Sequence, residues 1–256
     1  MLTNSIGLID WEALRQKYLK IYKEYSQSFE SLEEAVSNSV KRKEYSKGGL
    51  TVHRGFYYPG ALDLVAAGCN RGRLYKKLPK KPTYDYEYYF DGEDRMICCK
   101  KYGTKKDSNR ILSNIEYLIY TADKVLGLVF SMGSSVDRNY LSVITESLYS
   151  DSQLERYENV LFLPTGKQSA ECTEINIETF EYSEKGIEAL LWQRYTSQIK
   201  LLTKERFNFK RDFEGNLITY TVETNDNNNC LSVGESVFRE YKVLGGYKKN
   251  SLSRIR

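Results

Sequence analysis

At 256 residues, with 28% charged and 41% apolar content, the chain is long enough for a sizeable core and too apolar for a disordered tail. A net charge of +4 is too mild to make nucleic acid the expected partner, and five cysteines without a CxxC spacing point to reduced thiols rather than a disulfide framework. The opening "MLTNSIGLIDWEALRQ" lacks the basic segment, apolar stretch and cleavage site of an export signal. No apolar run approaches the length of a membrane helix, so no membrane partner and a cytoplasmic location are expected. The 22 tyrosines against 4 prolines favour half-buried pleated surface.

Residues 1–49 read as a helical hairpin. Asp10 caps "WEALRQKYLKIYKEY", in which Trp11, Leu14, Tyr18, Ile21, Tyr22 and Tyr25 recur on one face. Ser28 opens a second helix, "FESLEEAVSNSVKRKEY", with Phe29, Leu32, Val36 and Val40 inward and Gly48 and Gly49 as its stop. Residues 50–83 form a connector with a short strand, an apolar stretch at Ala61–Ala67 and Gly/Pro punctuation. Its basic run "RGRLYKKLPKK", with Arg71, Arg73, Lys76, Lys77, Lys80 and Lys81, reads first as a solvated linker. A nucleic-acid-binding module that holds phosphates through residues 71–81 is the alternative.

From residue 84 to 256 a strand-turn-strand unit repeats. The units are "YDYEYYFDGEDRMICCKKY", "IEYLIYTADKVLGLVF", "VITESLYSDSQLERYENVLFL", "INIETFEYSEKGIEALLWQRY" and "KERFNFKRDFEGNLITYTVE". A glutamate sits in the first arm of each, at Glu87, Glu116, Glu146, Glu178 and Glu205, spaced 29, 30, 32 and 27 residues apart. Units of about 30 residues in series predict an antiparallel meander of roughly ten strands. The fold class is therefore α+β, one compact domain in which the helical hairpin covers a face of a large sheet of about five hairpins, with the tail as an edge strand.

The acid-rich "YDYEYYFDGED" is the natural place to look for chemistry. On a strand, Tyr84, Tyr86, Tyr88 and Phe90 share one face and Asp85, Glu87, Tyr89 and Asp91 the other, with Asp91-Gly92 as turn and Glu93 and Asp94 at the bend. Periodic acids of this kind read as a solvated strand face rather than an acid/base pair. The five glutamates, taken as a line across one face, lie roughly 10 Å apart on alternate strands. Arg95, Lys124 and Arg156 then fall between them as a charge ladder, or the whole becomes an acidic-aromatic surface for a basic partner.

Catalytic signatures are weak. His53 is the single histidine, so a multi-histidine metal site is excluded; no GxSxG elbow accompanies it, and "LPTGKQS" is a turn rather than a P-loop. No metal or cofactor is expected. A carboxylate-dependent hydrolase is the remaining enzymatic alternative.

The serial "YEYYFDG", "FEYSEKG" and "FNFKRDFEGNLITY" hairpins resemble those of immunity-type proteins from bacterial polymorphic-toxin loci, over about Leu50 to Glu223. That resemblance implies a non-enzymatic protein that binds a cognate toxin domain tightly and stoichiometrically. The implied contact residues are Tyr84, Tyr86, Glu87, Tyr89, Asp91, Glu93, Glu116, Glu146, Glu178 and Glu205.

Overall fold

The computed structural model describes residues 9–47, 73–76, 84–104, 110–133, 139–166, 169–184, 186–197, 202–211, 217–225 and 237–247. Gly48, Gly49, His53, the Ala61–Ala67 stretch, Arg71, Lys77, Lys80 and Lys81 lie outside them.

Two helices come first, α1 (Trp11–Tyr25) and α2 (Phe29–Ser39). The Asp10 carboxylate accepts from the Ala13 amide at 2.9 Å, satisfying one of the helix's otherwise unpaired N–H groups. Tyr18 and Tyr22, one turn apart, are its buried residues. The second helix is shorter than the apolar spacing predicts. It stops at Ser39, Val40 turns extended, and the "RKEYSK" run becomes strand β1 (Arg42–Lys47). Pairing with the Tyr86–Phe90 strand supplies this segment with a hydrogen-bonded ladder, and that tertiary contact outweighs its helix propensity.

Twelve further strands follow: β2 (Arg73–Leu74), β3 (Tyr86–Phe90), β4 (Met96–Thr104), β5 (Arg110–Tyr120), β6 (Lys124–Met132), β7 (Asn139–Ser150) and β8 (Gln153–Pro164), then β9 (Ala170–Ser183), β10 (Gly186–Thr196), β11 (Leu202–Arg211), β12 (Leu217–Asn225) and β13 (Val237–Tyr247). All belong to one antiparallel sheet, ordered β13 to β3 in sequence and finishing β3-β1-β2. The chain is thus α+β, a pair of helices followed by a long open meander. Thirteen strands exceed the ten that five hairpin units supply, because β1, β2 and β13 lie outside those units. Every strand from β4 to β12 pairs with its neighbours in the order of the chain, both the one before and the one after it, so the strand order marks no division into units.

The two faces of the sheet are distinct. Tyr89, Cys98, Tyr117, Leu128, Ile144, Val160 and Ile175 are successive cross-strand partners from β3 to β9, and all are buried beneath the helices. Trp11 stacks on Tyr195 at one end of this face, and Phe29 meets Tyr117 and Phe130 edge-on at the other. The far face carries two other clusters, one around Tyr86, Tyr88, Phe90, Cys99 and Leu118, the other around Tyr157, Phe180, Leu190, Phe207 and Tyr220. Adjacent Cys98 and Cys99 point to opposite faces, as strand alternation requires, and both are free thiols.

Turn chemistry is local and specific. Between β7 and β8, Asp151 and Ser152 both take positive φ (48° and 65°), the two-residue turn whose twist suits antiparallel strands. Between β3 and β4, Asp91 accepts from the amides of Glu93 and Arg95 and from the Arg95 guanidinium, each at 2.9 Å. Asp94, not Gly92, supplies the left-handed residue there. "LPTGKQS" closes the β8–β9 turn through the Thr165 amide donating to the Ser169 carbonyl. Among the described residues no helix is long and apolar enough to cross a membrane.

Candidate functional site

The five repeated glutamates do not share a face. Glu87 and Glu146 lie on the helix-covered side, in rows with Ile115 and with Leu126. Glu116, Glu178 and Glu205 lie on the far side, next to Leu118, opposite Tyr157 and opposite Trp192. Register shifts recur along the ladder, including those at Tyr89/Phe90, Val129/Phe130 and Leu148/Tyr149, and each one-residue shift exchanges faces, so an even spacing in sequence does not carry over into space. Nor is the acidic strand face solvated. Tyr86, Glu87, Tyr89, Glu116, Glu146 and Glu178 are buried, Tyr84, Asp91 and Glu205 half-buried, and Glu93 exposed. A contact surface drawn from that set has Tyr84, Asp91, Glu93 and Glu205 to offer.

The sheet opposes two carboxylates as a pair that the glutamate spacing does not contain. Glu146 of β7 is the direct cross-strand partner of Glu158 of β8, and both side chains are only 2% exposed. Lys17 of α1 lies over the pair, ion-paired to Glu146 and 3.2 Å from Glu158. The neighbouring Tyr18 hydroxyl donates to Glu158 at 2.5 Å. Lys124 reaches Glu146 at 2.9 Å and Arg156 reaches Glu158 at 2.6 Å. Lys124 and Arg156 themselves each pair with Leu148, one row along.

Burial pushes the Glu146 carboxyl up, but the hydrogen bonds from Lys17 and Lys124 outweigh it and hold the group below the ordinary carboxylate range. The same contact with Glu146 raises Lys124. Burial and the charges of Glu158 and Glu146 push the Tyr18 phenol well up, so it remains a donor. Two like charges facing each other are tolerable because three cations and one hydroxyl surround them. Chemically, the cluster fastens the first helix to the middle of the sheet.

A parallel fastener holds the second helix. Glu33 of α2 accepts from Lys100 at 2.6 Å and from the Tyr117 hydroxyl at 2.7 Å, and it too is held below the ordinary carboxylate range against its burial. Lys17, Tyr18, Glu33 and Glu158 were not among the sequence candidates. The sequence signal for Tyr18 was its inward helical position, and for Lys17 and Glu33 there was none beyond adjacency to that face.

A third cluster sits toward the β1 edge on the helix side. Arg110, at the start of β5, sits in the corner of two tyrosine rings that meet at 87°, 4.1 Å from the Tyr84 ring centroid and 4.0 Å from that of Tyr102. Tyr45 tilts against Tyr84 at 4.6 Å, and the Tyr102 hydroxyl donates to Glu87 at 2.9 Å. A register shift opposite Lys101/Tyr102 makes Tyr102 the partner of Leu112 and turns Arg110 to the same side. Tyr45, Tyr84, Tyr102 and Arg110 are half-buried.

Elsewhere on the far face, Glu116 lies over Gly127, whose missing side chain leaves room for it and for Thr145. Among the described residues no three His, Cys, Asp or Glu side chains converge as a metal site would require.

No family model matches the chain, and no curated relative matches it. Among solved structures, a protein of unknown function from Bacteroides fragilis NCTC 9343 is similar over 46% of this chain and 84% of its own, at 9% identity and a TM-score of 0.35. A porin-like protein from Bacteroides uniformis ATCC 8492 is similar over 60% of this chain and 88% of its own, at 10% identity and a TM-score of 0.16.

Proposed function

We propose that the chain is a non-enzymatic binding protein of the immunity type, acting in the cytoplasm to neutralise a cognate bacterial toxin by tight stoichiometric binding. The observation that carries this reading is the fate of Glu146 and Glu158. They are directly opposed carboxylates on neighbouring strands, the kind of pair a hydrolase could use, and they are sealed beneath α1 and committed to Lys17, Tyr18, Lys124 and Arg156. Acid/base catalysis needs a carboxyl group within reach of substrate and with a value poised near the working pH. Glu146 is shifted the other way. The serial hairpins of the sequence supply the toxin-locus half of the reading, and a rigid sheet rich in tyrosine suits a large, preorganised interface.

The test is co-expression with the product of the adjacent open reading frame. A complex containing one copy of each chain, with growth restored to cells poisoned by that product, is the expected result. Absence of both complex and rescue overturns the proposal. Salt-sensitive retention on a polyanion matrix that is lost in K76Q/K77Q/K80Q/K81Q would move the reading to nucleic acid instead.

A further inference from the structure

The sheet ends differently at its two sides. On one it finishes with β2, two residues long and paired with Ser46 and Lys47. On the other it finishes with β13, eleven residues that pair only with β12 among the described residues. A row of backbone N–H and C=O groups along β13 therefore faces outward, and a long open edge of this kind is a template for a further strand. Lysines of one sign commonly blunt such an edge. Here the signs alternate instead, with Arg239, Glu240 and Lys242 around Tyr241, in the stretch Val237–Lys242 whose register with β12 is unbroken.

We propose that β13 pairs edge to edge with β13 of a second copy of this chain, as a two-fold antiparallel dimer whose axis passes through Tyr241. Strand geometry permits few registers. Alternate residues of an edge strand point their N–H and C=O groups outward, and a hydrogen-bonded pair needs two residues that both do so. Two copies of one edge can therefore pair only about an axis that passes through a residue, never between two. An axis at Arg239, Glu240 or Lys242 sets that residue against itself, like charge against like. An axis at Tyr241 sets tyrosine against tyrosine, Glu240 of each copy against Lys242 of the other, and Phe238 against Leu244. Of the four axes through the charged stretch, one alone opposes unlike charges, and it does so twice. The pair is short and smaller than the interface of a permanent dimer, so the association is reversible and depends on concentration. It extends the sheet at its edge and is independent of the toxin partner proposed above.

Sedimentation of the full chain across a dilution series reads this directly. The weight-average mass is expected to rise from the monomer's 29.8 kDa toward twice that value as concentration increases. Glu240→Lys sets lysine against lysine in both rows, and Lys242→Glu sets glutamate against glutamate. Each change is expected to weaken the dimer about tenfold or more. Both changes in one chain restore the unlike pairs and the dimer. Mixing the two single variants restores them as well, in a dimer holding one copy of each. The double variant keeps the test decisive if a single variant does not fold. A mass of 29.8 kDa at every concentration, self-association unchanged in both single variants, or no restoration in the double variant overturns the proposal. Growth past a dimer overturns it too, because a two-fold edge pair closes on itself.

Discussion

Glu146 and Glu158 face each other directly across β7 and β8, and one lysine from a helix more than a hundred residues earlier bridges them. Two like charges opposed on neighbouring strands repel, so the pair depends on Lys17 together with Lys124, Arg156 and the Tyr18 hydroxyl. The helix and the sheet are therefore linked through charge as well as through the apolar contacts of Tyr18 and Tyr22.

Replacing Lys17 by Met tests that linkage. The variant keeps the aliphatic stem but leaves two carboxylates, each 2% exposed, with only Lys124 and Arg156 as cations. Because the Lys17 side chain is itself 39% exposed, the cost is set below that of a fully buried pair, at about 2 kcal/mol. Adding Glu158→Gln removes one of the opposed charges and is expected to recover part of the loss. Urea denaturation of the two single variants and the double variant gives the coupling. Strict additivity would show that Lys17 and Glu158 act independently.

The same cluster sets the acid limb of stability. The Glu146 carboxyl is depressed in the folded chain, where Lys17 of α1, Lys124 of β6, and Glu158 and Arg156 of β8 surround it. A depressed folded value means that the unfolded chain binds the proton more tightly, so acid favours unfolding. The stabilisation is fully present above the unfolded value of about 4.3 and is lost as pH falls through the lower folded one. Glu33, depressed by Lys100 and Tyr117, acts with the same sign. Urea midpoints are expected to be flat near neutrality and to fall below about pH 4.5, with a shallower fall in Glu146→Gln. An unchanged acid limb in that variant would remove Glu146 as its source.

Why Glu146 was visible in sequence while its partner was not comes down to one residue. The Asp151-Ser152 turn aligns Ser150 with Gln153 and Tyr149 with Leu154; extended without interruption, that register places Glu146 opposite Tyr157. A shift at Leu148/Tyr149 inserts Glu155, and the acid at Glu158 moves into line instead. The start of each helix, the alternation of Tyr86, Tyr88 and Phe90 against Glu87 and Tyr89, and the serial antiparallel pairing were all legible from spacing alone. The end of α2 was not, because "RKEYSK" suits a helix by propensity and becomes a strand only when β3 lies beside it. The cluster of Arg110 with its tyrosines was hidden for a similar reason, since Tyr45, Tyr84, Tyr102 and Arg110 are joined only by strand pairing and one register shift.

The β7–β8 turn offers a stabilising change. Ser152 holds φ at 65°, a region where a β-carbon is disfavoured and glycine is not. Asp151→Asn with Ser152→Gly installs the residue pair most compatible with two left-handed positions. A gain of about 0.5–1 kcal/mol is expected, read as a raised urea midpoint at unchanged slope. Destabilisation by the pair would mean that the Ser152 side chain contributes more than its backbone strain costs.

At Gly127 a single added methyl should be costly. A β-carbon there would collide with the Thr145 hydroxyl and come within 3.3 Å of the Glu116 carboxylate, both of them buried on the far face. Thr145 is the cross-strand partner of Gly127, and its buried side chain must turn away to make room. Overpacking of this kind costs typically 1–3 kcal/mol, and displacing a buried carboxylate from its surroundings adds to it. Gly127→Ala is therefore expected to lose about 2–3 kcal/mol, and Gly127→Ala with Thr145→Ala to recover most of that by removing the first clash. Thermal melting of the three variants separates the contributions. If the double variant melts no higher than Gly127→Ala alone, the crowding lies at Glu116, and the far face would then be constrained by its buried acid rather than by its threonine.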